Sequence, residues 1–313
     1  MQQYIAEHNE QARDFIIAGV DSNQERCKEV RELFSIDTFR SVGEALQNGE
    51  FDSVIISTSP LSHASIIKEC LQNNLNVFTE LNLVADGYDE VLELAKANNK
   101  VLFLSSTPMY RNEMIFIKNS IGNAFKGEYH YHVGQYLPEW HPWEDYRNFF
   151  VSNKRTDGCR ELFAIELPWL IDTFGEIQKV FSLHKKMSTL EIDYDDSYTV
   201  AIEHESGVIG NLSIDIVTPK AGREFEVWGE NKYIEWKGTP DSLKTLDPTT
   251  KELTTVDIYS SFEHRSEYNK FVVENAYYDE LVNYIGVIEG REQPKYSFEK
   301  DREILKIIDK IEE

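Results

Sequence analysis

The chain has 313 residues, 41% of them apolar and 12% aromatic, and a formal charge of −23. That length suits two domains of about 100–200 residues each, and no apolar run approaches the roughly 20 residues that span a bilayer. The negative balance argues against a polyanionic partner such as nucleic acid, which needs clustered Lys and Arg. Cys27, Cys70 and Cys159 are far apart and in no metal or redox spacing. The first residues have neither the basic region nor the apolar core of a signal peptide, so a reduced cytoplasmic setting with no membrane is expected.

In chain order, Tyr4 to Arg13 reads as late turns of a helix. Phe15-Ile16-Ile17-Ala18-Gly19-Val20 is a short strand run ending in Asp21, and Gln24 to Phe34 has helical spacing. Phe51–Ser57, Leu75–Thr79 and Val101–Ser105 read as strands, with Leu61–Asn73 and Tyr88–Asn98 as the helices between them. Continuous β runs separated by amphipathic helices imply a doubly wound parallel sheet, an α/β Rossmann-like domain over residues 1–107 whose first βα unit is incomplete. From about residue 124 the period changes to two. Gly127–Gln135, Ser197–Glu203, Val208–Ile216, Arg223–Trp228 and Tyr233–Trp236 predict an open, largely antiparallel sheet. Helices at Arg160–Phe174, Tyr268–Glu289 and Glu299–Glu312 complete an α+β domain over 108–313, the last helix returning to pack on the rest.

Asp21 stands at a strand's carboxyl end, where a carboxylate suits a ribose hydroxyl. The glycine turn that cradles a pyrophosphate would lie roughly 20 residues earlier, and residues 1–18 contain no glycine. Ser57, Thr58 and Ser59 close the next strand before Pro60, a stretch that lines the ligand crevice of open α/β sheets. His63, in the following helix's first turn, suits either a structural or a ligand-facing role. His130 and His132 alternate on one strand face and, with His141, raise a metal site; no carboxylate or Cys stands at ligand spacing, so no metal is expected. Tyr136, Trp140, His141 and Trp143 lie in an aromatic, Pro-punctuated loop whose flat faces suit a sugar. Arg111, near the domain junction, suits an anionic substrate group or an electrostatic cap on the junction.

The ordered series Asp52-Ser53-Val54-Ile55-Ile56-Ser57-Thr58-Ser59-Pro60, Ser62-His63 and Asn76-Val77-Phe78-Thr79-Glu80 resembles the Gfo/Idh/MocA family, named for glucose–fructose oxidoreductase and inositol dehydrogenase. Val133 to Trp143 is similar to a subgroup associated with surface-polysaccharide sugars. The resemblance implies NAD or NADP as hydride carrier, a sugar or nucleotide-sugar substrate, and a sheet domain that often forms the subunit interface, hence a homo-oligomer. Asp21 favours NAD, because a carboxylate repels a 2′-phosphate. The family's Glu-Lys-Pro triplet matches Glu80-Leu81-Asn82, so the ammonium is missing. Its second motif, an Asp four residues before a His, aligns with Glu161 and Ile165; a shift of one residue puts Glu166 at the His position. Glu80 is then a candidate for catalysis and for cofactor contact, and Glu161 and Glu166 are the remaining candidate bases. The expectation is an NAD(P)-dependent oxidoreductase, with a non-catalytic relative that binds a sugar or partners an active subunit as the alternative. A third reading places the missing strand and glycine turn upstream of Met1.

Overall fold

The structure is a computed structural model and describes residues 16–122, 124–259 and 272–313. The Tyr4–Arg13 helix, Phe15 and the start of the helix expected from Tyr268 lie outside the described residues. Five short strands alternate with helices in the first region: β1 Ala18–Val20, α1 Gln24–Phe34, β2 Asp37–Phe39, α2 Val42–Asn48, β3 Ser53–Ile56, α3 Pro60–Gln72, β4 Asn76–Thr79, α4 Tyr88–Ala97 and β5 Leu102–Leu104. Local chemistry sets the helix starts. The Asn23 side chain accepts from the Glu25 and Arg26 amides, Ser41 caps α2, and Pro60 opens α3 where its missing N–H costs nothing. β1 pairs in parallel with β2, and β3, β4 and β5 form a second parallel sheet. β2 and α2 were not expected from sequence; three residues of Asp-Thr-Phe give no readable period.

A 3₁₀ turn, Thr107–Tyr110, and α5, Asn112–Ile121, lead into β6, Gly127–Gly134. α6 is Gly158–Phe174, followed by β7 Ile177–Lys185, β8 Ser197–His204, β9 Ile209–Asp215, β10 Gly222–Gly229, β11 Lys232–Trp236, β12 Lys244–Leu246 and β13 Leu253–Thr255. These eight strands form one sheet in the order β13-β12-β11-β10-β6-β9-β8-β7, antiparallel except for the parallel pair β6–β9. α5, β7, β12 and β13 were also not expected from sequence.

One sheet face is dry. Tyr129, Tyr131, Val200, Leu212, Phe225 and Val227 are buried beneath α6, whose Trp169 ring meets those of Tyr131 and Phe225 at 5.5 and 5.3 Å. Gly210 makes room for the Tyr129 ring, since a Cβ there would stand 2.1 Å from its Cζ.

Two last helices, α7 Glu274–Ile288 and α8 Phe298–Glu312, reach back to the parallel strands. Tyr284 of α7 meets Phe78 and Phe103 edge-on at 5.4 and 5.3 Å. Phe298 of α8 packs on Tyr88 at 4.8 Å, and the Tyr88 and Tyr296 hydroxyls both donate to the buried Asp301 carboxylate.

Candidate active site

The parallel strands present their carboxyl ends to α6 and α7. Past β3, Ser57, Thr58 and Ser59 are exposed, and the Thr58 and Ser62 hydroxyls lie 2.9 Å apart. Past β4 comes Glu80, exposed, accepting from Ser57 Oγ at 3.0 Å. Leu81 is half-buried against the core. His63 is 2% exposed; its Nδ1 lies 2.7 Å from Asn82 Oδ1 and its Nε2 3.0 Å from the Thr58 carbonyl oxygen. The ring thus ties the loops after β3 and β4 together. Past β1, Asp21 accepts from the Asn23 amide at 2.7 Å, and Arg26 stands 3.9 Å from its other oxygen.

The first turn of α6 is drawn to the segment after Glu80. Arg160 Nε donates to the Leu83 carbonyl at 2.6 Å, while its terminal nitrogens pair with Glu312 and Asp309 at 2.6 and 2.8 Å. Glu161 is the next residue. Its Oε2 is buried and has no hydrogen-bond partner among the described residues. Burial first, then the Glu80 carboxylate and then that of Asp157, push its carboxyl up to about 8. Two nearby cations are engaged elsewhere, Arg155 with Asp86 and Arg160 with Asp309 and Glu312.

Glu166 lies five residues on, about 140° around the helix, and faces the core. It accepts from Tyr131 Oη at 2.7 Å, Trp169 Nε1 at 2.8 Å and Arg223 Nε at 2.8 Å. A carboxylate with three fixed donors is an anchor, and Ile165 between the two glutamates carries no transferable proton.

One acid at this site escaped sequence reading. Glu280 of α7 is buried and accepts from Ser105 Oγ, the Ser106 amide and Thr107 Oγ1 at 2.9, 2.7 and 2.9 Å, which binds α7 to the end of β5. Burial pushes it up to about 7 against those hydrogen bonds, and Glu80 adds to the rise. Its signal was an acid on the apolar face of a helix, beside Leu281, Tyr284 and Ile285. The Glu80 charge therefore acts on both Glu161 and Glu280.

Arg111 is buried, paired with Glu113 at 2.6 Å and stacked 4.9 Å over Trp236. Trp140 donates to the Gln135 carbonyl, and His141 rests between Trp143 and Phe149 at 5.2 and 4.5 Å, where burial lowers its pKa. Trp143 is 68% exposed beside an open concavity of about 380 Å³ lined by Pro138, Pro142, Tyr146 and Arg147. Tyr136 is half-buried at the start of this loop. His130 pairs with Glu128 and His132 with Asp215, and no group of three or more metal-ligating side chains occurs among the described residues.

Residues 1–106 match the model of the GFO_IDH_MocA oxidoreductase family, with an NAD-binding Rossmann fold. The whole chain is 22% identical over 319 aligned positions to myo-inositol 2-dehydrogenase of Thermotoga maritima, covering 96% of this chain and 89% of that protein. Two solved structures extend the likeness in fold. The WlbA dehydrogenase of Bordetella pertussis, in complex with NADH and UDP-GlcNAcA, superposes with a TM-score of 0.76 at 16% identity, over 99% of this chain and 90% of that one. UDP-N-acetylglucosamine 3-dehydrogenase of Acidithiobacillus ferrooxidans gives 0.72 at 16%, over 95% and 88%. The parallel first region and the largely antiparallel second one are thus the fold that these solved structures share.

Proposed function

We propose that the protein is an NAD(P)-dependent oxidoreductase of a sugar or nucleotide sugar in which Glu161 carries the proton. The supporting observation is the unpaired buried oxygen of Glu161 at the crevice. The names of its similar proteins, an inositol dehydrogenase and two UDP-sugar dehydrogenases, support the substrate class, and the Val133–Trp143 loop supports a place in surface-polysaccharide metabolism.

The residues present suit part of a dinucleotide. Asp21, partly exposed at the end of β1, suits a ribose diol and favours NAD over NADP. Exposed Ser57, Thr58 and Ser59 precede the N-terminus of α3, whose dipole favours a phosphate. The pyrophosphate-cradling glycine turn is not among the described residues. When bound, the dinucleotide supplies the hydride acceptor or donor. The chain supplies proton handling: Glu161 is protonated at neutral pH, gives a proton to a carbonyl oxygen there, and accepts one from a carbinol above about pH 8. Burial keeps that carboxyl high, and the charge of Glu80, held by Ser57, adds to the rise. Leu81 takes no part in proton transfer, and Glu166 is committed to Arg223.

Fluorescence titration with NADH and NADPH tests the cofactor reading; saturable binding, tighter for NADH, is expected, and no binding at millimolar cofactor refutes it. With an active substrate, Glu161→Gln should cost about 10²–10⁴-fold in kcat and abolish a rise in alcohol oxidation near pH 8. Leu81 and Ile165, at the family's Lys and His positions, favour a second reading: a non-catalytic, sugar-binding relative that partners an active subunit. Sugar binding without turnover, unchanged by Glu161→Gln, would establish it.

We further propose a homo-oligomer built on the sheet's uncovered face. Phe181, Leu183 and Ile209 are 70, 79 and 53% exposed there, an apolar patch of the kind that marks interfaces. Light scattering should give a dimer or larger, and Leu183→Asp should shift it to monomer. Among the described residues no helix is long and apolar enough to cross a membrane. The free, buried Cys27, Cys70 and Cys159 suit a reducing compartment.

A further inference from the structure

We propose that Arg160 is a positioning residue for the Glu80–Glu161 pair, held to that task by Glu312 and Asp309 in the last turn of α8. This role rests on the reading of Glu161 as the proton carrier. From Glu80 to Gly87 the chain is neither helix nor strand, so its place depends on bonds to its neighbours. The Glu80 amide donates to the Ile56 carbonyl at 3.0 Å, and the Glu80 carboxylate accepts from Ser57 Oγ at 3.0 Å. Both bonds tie Glu80 to β3 and the loop beyond it. The bond to α6 comes from Arg160, whose Nε donates to the Leu83 carbonyl at 2.6 Å. Leu83 is 0% exposed, so no solvent competes there. Leu83 stands three residues from Glu80, and Arg160 is next to Glu161. That one bond therefore governs how the two carboxyls stand to each other.

The guanidinium is shared among three partners. Nε serves the segment after β4, while the two terminal nitrogens serve Glu312 at 2.6 Å and Asp309 at 2.8 Å on α8. A planar guanidinium holds its donors at fixed angles, so two nitrogens fixed on α8 fix where the third one points. A lysine ammonium has no such fork. Arg160 itself is 6% exposed, and its amide donates to Asp157 Oδ1 at 2.8 Å, so the residue is held at both ends. Glu312 Oε1 is buried without a hydrogen-bond partner among the described residues. The hydrogen bond of that carboxyl is the one from Arg160 to its other oxygen.

A clamp between two helices would also place an arginine here, but both helices have anchors of their own. At the far end of α8, Phe298 packs on Tyr88, and Asp301 accepts from the Tyr88 and Tyr296 hydroxyls. Farther along α6, Glu166 accepts from Tyr131 and Arg223 of the large sheet. A second ion pair reaches the same segment, Arg155 with Asp86, but both partners are more than half exposed and solvent screens them. The dry link between Glu80's segment and Glu161's helix is the one that Arg160 makes.

Carboxyl NMR titration of Glu161 reads the arrangement without any substrate. Glu80→Gln should lower the Glu161 midpoint in the otherwise unaltered protein. Repeated in an Arg160→Lys or a Glu312→Gln background, the same change should lower it by about half as much or less. Arg160→Lys keeps the charge and loses the fork; Glu312→Gln keeps the size and an acceptor oxygen and loses the ion pair. A merely structural arginine would lower the denaturant midpoint of both variants and leave the Glu80 effect at full size. That result, in whichever variant folds, overturns the inference. With an active substrate, both variants should lower kcat by about 10–10²-fold while KM stays within about twofold; an unchanged kcat also counts against it. The reading of Glu161 fails separately, on a Glu161→Gln variant that keeps its kcat while the titrations still come out as expected.

Discussion

In the eight-stranded sheet, side chains along each strand sort by face. Tyr198, Val200 and Ile202 are buried, and Thr199 and Ala201 between them are exposed. In the first region the sorting follows position in the sheet instead: β4 and β5 are dry, while β1 and β3 leave Val20 and Ile55 in solvent. The larger sheet is closed by its own chemistry, with aromatic rings and the Glu166–Arg223 pair locking α6 to it. The parallel strands depend on α7 and α8 for cover and keep unsatisfied polar groups, Glu161 among them, at their carboxyl ends. The two glutamates of α6 show the division in miniature. Glu166 accepts from three donors and ties α6 to the sheet; the buried Oε2 of Glu161 has no donor among the described residues.

The strongest way to break this contrast is to unlock the larger sheet. Glu166→Ala removes the buried acceptor shared by Tyr131, Trp169 and Arg223 and should cost about 3–5 kcal/mol of stability, measured by denaturant unfolding. Gly210→Ala forces the Tyr129 ring to shift and should cost about 1–3 kcal/mol. The acids should produce a smaller, pH-dependent effect. Glu161 is raised from 4.5 to about 8, Glu280 from 4.5 to about 7, and Asp157 and Asp301 from 3.8 to about 6. Each folded-state pKa exceeds the ordinary value, so the folded chain binds more protons in between. Stability should therefore fall as pH rises from about 5 to 8. Glu161→Gln should flatten that slope in melts taken across the range, whereas Glu166→Gln should not. Smallest of all, Lys179→Ala removes an exposed pair with Glu203 and should stay within about 0.5 kcal/mol.

Much of this architecture is legible in the residues, because long apolar or alternating runs such as Val54-Ile55-Ile56 and Ser197–Glu203 carry their period plainly. Three-residue strands such as β2, β12 and β13 carry none. Edge strand β7 hides for another reason: with Phe181 and Leu183 outward, its apolar residues do not mark the core face. Sequence pointed to the strand ends from Ser57 to Glu80 as a candidate place but assigned no roles there. Sequence left Glu161 and Glu166 as equals, since only the helix's rotation against the sheet separates them. It offered Arg111 for an anion, but the carboxylate it meets is Glu113, under a Trp236 more than a hundred residues away. Glu280 was unreadable until α7 was seen to lie on β5.

The most direct test of the division between the two glutamates is a ¹³C-carboxyl NMR titration of Glu161, assigned through Glu161→Gln. A midpoint near 8, lowered in Glu80→Gln, is the predicted result. A midpoint near the ordinary 4.5, indifferent to Glu80, would contradict it.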